Sequence, residues 1–205
     1  MALLIFKPED MQACMDTVRD ITEAFELNVH NGKGYPKSVD GFIWLIGEYL
    51  GKKVEISYLD LPAEGSSIKA MCTVWSDGTY RIYVLAGMTE DELRFVVCKE
   101  LFHAIFDQED RRNMDLRDHV EEYTSTYASQ VGAEPQCSAS WEWLAEIAAI
   151  EFLFPHRYRA EACNSEDTIL AYSKAATQYG LPRKYVEIGC SESNIEYLAK
   201  FLPKD

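Results

Sequence analysis

The chain has 205 residues, 47% of them hydrophobic and 26% charged, which is ordinary for a globular protein and unlike a disordered one. With Gly at 11, Pro at 7 and Cys at 6, collagen-like and disulfide-scaffold classes are excluded. The 34 acidic and 20 basic residues give a net charge of −14, so the average surface repels phosphate and direct nucleic-acid binding is not expected. A basic protein partner is compatible with this charge.

Pro8, Glu9 and Asp10 suit a helix first turn, and Met11, Cys14, Met15, Val18, Ile21 and Phe25 follow at 3- and 4-residue spacing, predicting an amphipathic helix to about Leu27. Ser38 is a candidate N-cap for a second helix holding Phe42, Ile43, Leu45, Ile46, Tyr49 and Leu50, closed by Gly51. The period then changes to two. Val54, Ile56 and Tyr58 mark one strand, 68–75 a second and 79–85 a third, the last two joined at Ser76-Asp77-Gly78. Thr89 and Glu92 form a capping box opening an apolar helix through Phe106. Further helices are expected at about 115–130, 140–153, 166–179 and 191–202, with Pro155 as a stop and Ser165 and Ser191 as caps. The order predicts an α+β fold with a small antiparallel sheet of about three strands.

Neither a repeat nor an interdomain linker is visible, so one domain over 1–205 is expected. The six cysteines, Cys14, Cys72, Cys98, Cys137, Cys163 and Cys190, contain no C-x-x-C pair and read as reduced core thiols. The apolar run Leu3 to Phe6 is far shorter than a signal h-region or a membrane span, and a cytoplasmic protein without membrane association is expected.

Chemistry is concentrated around Lys99-Glu100-Leu101-Phe102-His103. In an H-E-x-x-H helix two imidazoles lie on one face and hold zinc, with the glutamate aimed at the metal-bound water. Here Glu100 and His103 are present and Lys99 stands where the first histidine would be.

The run from about 35 to 155 resembles the ImmA/IrrE family of metallopeptidases. The resemblance rests on Tyr35-Pro36, on Glu48 to Val54, on the strand Tyr80-Arg81-Ile82-Tyr83-Val84, on Leu93-Arg94-Phe95 leading into the helix, and on Glu142-Trp143-Leu144-Ala145, Ala149 and Phe152-Leu153-Phe154-Pro155. It implies a zincin-like domain with a family-like core at about 35–155 and helical extensions on both sides. It also implies that Glu100 is the general base of an active enzyme, that His103 and Glu142 are metal ligands with Glu146 in reserve, and that all converge in one cleft. In such a fold an extended peptide pairs with a sheet edge. The strand 79–85, with Tyr80, Ile82 and Val84, is therefore expected to border the groove and contact the partner.

Lys99 divides the functional readings, because a lysine ammonium offers three donors and no lone pair to a metal. If zinc is retained, His103 and Glu142 need a further ligand from Glu146, Cys98, His119 or His156, and the chain is an active peptidase cleaving a protein such as a repressor. If zinc is lost, the Lys99 ammonium neutralises Glu100, Glu142 or Glu146, and the chain is a degenerate homologue acting by binding a protein or peptide. The second reading is adopted, with no cofactor, since a helical Cys98 points about 100° away from the Lys99 direction. The resemblance points to a DNA-binding regulator as the partner. A third reading is an acidic interaction protein that occupies a basic or nucleic-acid-binding surface on its target.

Blander roles exist for each residue. Lys99 can snorkel to water, His103 can be a hydrogen-bonded core histidine, and Glu142 and Glu146 can be like charges on a solvated face. Trp141, Trp143, Phe152, Phe154 and Tyr158 read as packing, His30 as a surface residue, and the acidic run from Asp107 to Glu122 as a solvated face.

Overall fold

The computed structural model describes residues 8–29, 34–62, 69–106 and 138–202. Helix α1 (Pro8–Asn28) buries Met11, Cys14, Met15, Val18, Ile21 and Phe25, the stripe that the spacing predicts. Helix α2 (Val39–Leu50) begins at Ser38, whose hydroxyl accepts the Gly41 N–H at 3.1 Å. It ends at Gly51, whose φ of 60° needs a residue without a Cβ.

Strands β1 (Val54–Pro62), β2 (Ala70–Val74) and β3 (Tyr80–Ala86) form a sheet in the order β1-β3-β2. β2 and β3 make the expected hairpin, antiparallel from Ala70↔Val84 to Val74↔Tyr80. β1 runs parallel to β3, from Val54↔Tyr80 to Leu59↔Leu85. The sheet is therefore mixed, not antiparallel, and β3 is its central strand, not an edge. Alternation along a strand fixes which face is buried, but it does not fix the neighbour or its direction. Here the register Ile56↔Ile82 puts the apolar residues of β1 and β3 on one face whichever way β1 runs. Tyr80, Ile82 and Val84 are 8%, 0% and 0% exposed and pack into the core, and β3 has ladder partners on both sides. They cannot form the edge contact with a partner that the sequence led us to expect.

Helix α3 (Glu90–Phe106) starts with the predicted capping box. The Thr89 N–H donates to Glu92 Oε2 at 3.1 Å, and the Glu92 N–H donates to Thr89 Oγ1 at 3.3 Å. Phe95, Val96, Val97, Cys98, Leu101, Phe102 and Ala104 are buried, which makes α3 apolar on most sides and places it centrally. It packs against the sheet, against α2 and against α4 (Ser138–Leu153). Phe42, Phe102 and Phe152 join the three helices, with Phe42 stacked on Phe152 at 4.2 Å between ring centres.

Beyond Pro155 come a 3-10 turn (His156–Tyr158) and the short helices α5 (Arg159–Cys163), α6 (Thr168–Tyr179), α7 (Arg183–Gly189) and α8 (Glu192–Leu198). The cap of α6 is Asp167 and not Ser165: its carboxylate accepts the Leu170 N–H at 3.0 Å. Ser191 stands at the α8 N-cap, but its hydroxyl donates back to the Ile188 carbonyl. Helix α7 was not expected. The predicted helix at 115–130 lies outside the described residues.

Two buried arginines tie these helices to the core. Arg159, 1% exposed, pairs with Glu151 of α4 at 2.7 Å and donates to the Phe154 and Gly189 carbonyls. Arg94 of α3 donates to the Gly180 carbonyl at 2.8 Å and pairs with Glu90 and Asp91. Among the described residues no helix is long and apolar enough to cross a membrane.

Candidate functional site

The site lies where α3 and α4 face each other under β2. Residues 99, 100 and 103 fall on α3 so that Lys99 and His103, one helical turn apart, project toward α4. Glu142, near the start of α4, receives both. Lys99 Nζ is 2.7 Å from Glu142 Oε2, and His103 Nε2 is 3.1 Å from Glu142 Oε1. The same ammonium is 3.4 Å from Glu100 Oε1.

Glu100 is 5% exposed and its other oxygen accepts the Cys72 backbone N–H of β2 at 3.0 Å. A buried carboxylate needs such partners. β2 is thus the strand beside the site, and the contact was invisible in the sequence because its donor is backbone.

The electrostatics follow from this arrangement. Burial alone pulls the Lys99 ammonium down, but Glu100 and Glu142 outweigh it and hold Lys99 above the ordinary lysine value. Partial burial likewise pushes Glu142 up, yet His103 and Lys99 overcome this and keep its carboxyl well below the usual carboxylate range. Glu146 moves the other way. Burial raises its carboxyl, with only partial relief from the Lys99 and Lys184 charges. Glu142, not the reserve Glu146, therefore makes the close contacts.

Of the other candidate ligands, Cys98 is 1% exposed and its thiol is pushed up to about 12 by burial, against the opposing charges of Lys37 and Arg94. His156 is held beyond α4, its backbone N–H donating to Glu151. His119, His30 and Cys137 lie outside the described residues. Tyr185 of α7, which the sequence did not single out, stacks on Phe95 at 3.4 Å and stands in the field of Glu146 and Lys99.

A zincin-type fold implies zinc at such a site. The donor set does not fit it. His103 and Glu142 offer lone pairs, but Lys99, one helical turn before His103, brings to Glu142 an ammonium that offers only hydrogens. Among the described residues no group of three His, Cys, Asp or Glu side chains is placed to hold a metal ion.

The model of the Peptidase_M78 family, described as an IrrE N-terminal-like domain, matches residues 51–191, more than half of the chain. The chain belongs to this family. Family membership agrees with the α+β architecture and with the resemblance drawn from the run of about 35–155. Among solved structures, a Mycobacterium tuberculosis transcriptional regulator is similar at 16% identity and a TM-score of 0.46, over 87% of this chain and 49% of that one. This chain thus spans about half the length of that protein. No curated protein matches.

Proposed function

We propose that this chain is a Peptidase_M78 family member in which the Lys99 ammonium takes the place of a metal, and that it acts by binding a protein or peptide, not by cleaving one. The observation that supports this is the position of Lys99 Nζ, within 2.7 Å of Glu142 and 3.4 Å of Glu100. An ammonium there supplies positive charge to both carboxylates, so the helices keep their packing without an ion. It supplies no Lewis acid, and Glu100 is engaged by the Cys72 N–H and Lys99. With β3 central, β2 is the strand beside the site, and its Cys72 N–H is already held by Glu100. The net charge of −14 favours a basic partner, and a DNA-binding regulator is the class that the family resemblance suggests.

The test is elemental analysis of the purified protein and of Lys99→His, together with cleavage of unstructured peptides. Wild type should carry no stoichiometric zinc and cleave nothing, whereas Lys99→His should gain zinc. Near-equimolar zinc in the wild type, unchanged by the substitution, would replace this reading with that of an active peptidase completed by another ligand.

A further inference from the structure

The two edges of the sheet are finished differently. Across the parallel ladder of β1 and β3 the Tyr80 N–H donates to the Lys53 carbonyl at 2.9 Å, so the backbone groups of Glu55, Ser57 and Leu59 face β3. Those of Val54, Ile56 and Tyr58 point the other way, out of the sheet, and among the described residues no hydrogen-bond partner meets them. The side chains of these three share the helix-facing side, where Val54 and Ile56 pack against the core but Tyr58 is 65% exposed. Beside Val54 a shallow groove opens, lined by Ile43, Trp44 and Gly47 of α2, and Trp44 is 51% exposed. Lys52 and Asp60 flank the strand, both exposed and, among the described residues, in no ion pair.

We propose that the open edge of β1 pairs with β1 of a second copy of this chain, antiparallel and centred on Ile56. A two-fold axis at that residue sets Ile56 opposite its own copy and Val54 opposite Tyr58 of the other chain. These are the residues whose N–H and C=O groups point outward on both strands, so each pair exchanges both hydrogen bonds. The same register sets Lys52 opposite Asp60 of the other chain, an ion pair made twice by the symmetry. A slip that keeps the outward groups paired moves these charges apart, so they select the register. The pairing also carries each Tyr58 ring to the groove beside Val54 and Trp44 of the other chain, where both exposed rings are covered. β2 cannot be extended in this way, because its outward Cys72 N–H is held by Glu100. The joined sheet leaves β2 and the Lys99 site on the far side of each copy, so the inference does not depend on whether that site holds metal.

Sedimentation velocity of the full chain over a concentration series should show a reversible dimer. Two chains of charge −14 repel, so the measurement belongs at about 0.15 M ionic strength, where that repulsion is screened beyond about 8 Å. A zero-length carbodiimide should link Lys52 to Asp60 in the dimer, since within one chain they lie roughly 25 Å apart along the strand, too far to join. Asp60→Lys makes the chain less negative, yet it should weaken the dimer by about tenfold by opposing two lysines at each end of the contact. Adding Lys52→Asp to that variant should restore the dimer. Tyr58→Pro, which removes an outward N–H but no bond to β3, should abolish it. A monomer at every concentration would overturn the proposal. So would a dimer without the link from Lys52 to Asp60, or one that Asp60→Lys tightens as net charge alone requires.

Discussion

Lys37 and Lys99 are both lysines drawn out of water beside the central helices, and their surroundings treat them in opposite ways. Lys37 is 2% exposed, with its Nζ 3.9 Å from the centre of the Phe152 ring and no hydrogen-bond partner. Burial lowers its pKa from 10.5 to about 8, despite the more distant charges of Glu26 and Glu151. Lys99 is also largely buried, but two carboxylates lie within 3.4 Å and its ammonium is held above the ordinary value. Burial alone does not decide the direction of the shift. The nearest anion does.

The largest test of this contrast is Lys37→Met, which keeps the volume and removes the amine. The drop from 10.5 to about 8 is equivalent to roughly 3 kcal/mol, so the variant should be more stable by on the order of that amount at pH 7 in urea unfolding. No gain would mean that the contact with the Phe152 ring already compensates the buried charge. The sign with pH is also fixed. A lysine with a depressed folded pKa weakens the fold while it is charged, so wild-type stability should climb between pH 8 and 10.5 as Lys37 loses its proton. Lys99, whose folded value is raised, gives the reverse: its contribution is complete below 10.5 and is lost above it. Lys37→Met should flatten the climb and leave the fall.

Next in size is Lys99→Met, which leaves buried Glu100 without its cation. Removing one partner of a buried pair typically costs several kcal/mol, reduced here by partial exposure to about 2 kcal/mol at pH 7. The loss should shrink in acid as the Glu142 carboxyl takes up its proton. A variant as stable as wild type at pH 7 would show that Lys99 is solvated and that the ammonium does not hold the site together.

The smallest effect belongs to Glu142→Gln, because this side chain is 49% exposed and water screens its contacts. A change under about 1 kcal/mol is expected near neutrality. Its depressed carboxyl stabilises the fold above the ordinary value of 4.5 and ceases to do so as the pH falls through the folded value. The variant should therefore lose less stability than wild type below pH 4.5, and an identical acid limb would remove Glu142 from the network.

Much of this was legible in local pattern. The Thr89 and Glu92 box, the Ser38 cap and the α1 stripe are set by residues within a few positions of each other, and the structure shows each of them. Helical phase alone places Lys99 and His103 on one side of α3. What escaped the sequence depends on long-range pairing or on charged groups in the interior. The central position of β3 arises from β1 approaching across the sheet, an event with no local signature. Lys37, Arg94 and Arg159 look like surface residues in any window, since only tertiary carbonyls, carboxylates and rings make their burial tolerable.

The bond from the Cys72 N–H to Glu100 also bears on how the molecule keeps to itself. A short outer strand with open backbone donors is a template onto which another chain can extend the sheet, the first step of aggregation. Here one of those donors is already taken by an anchored carboxylate, which a newcomer would have to displace and strand beside its own carbonyl oxygens. Glu100 thus acts as a gatekeeper. Its replacement by an apolar residue is expected to lower solubility before it alters the fold.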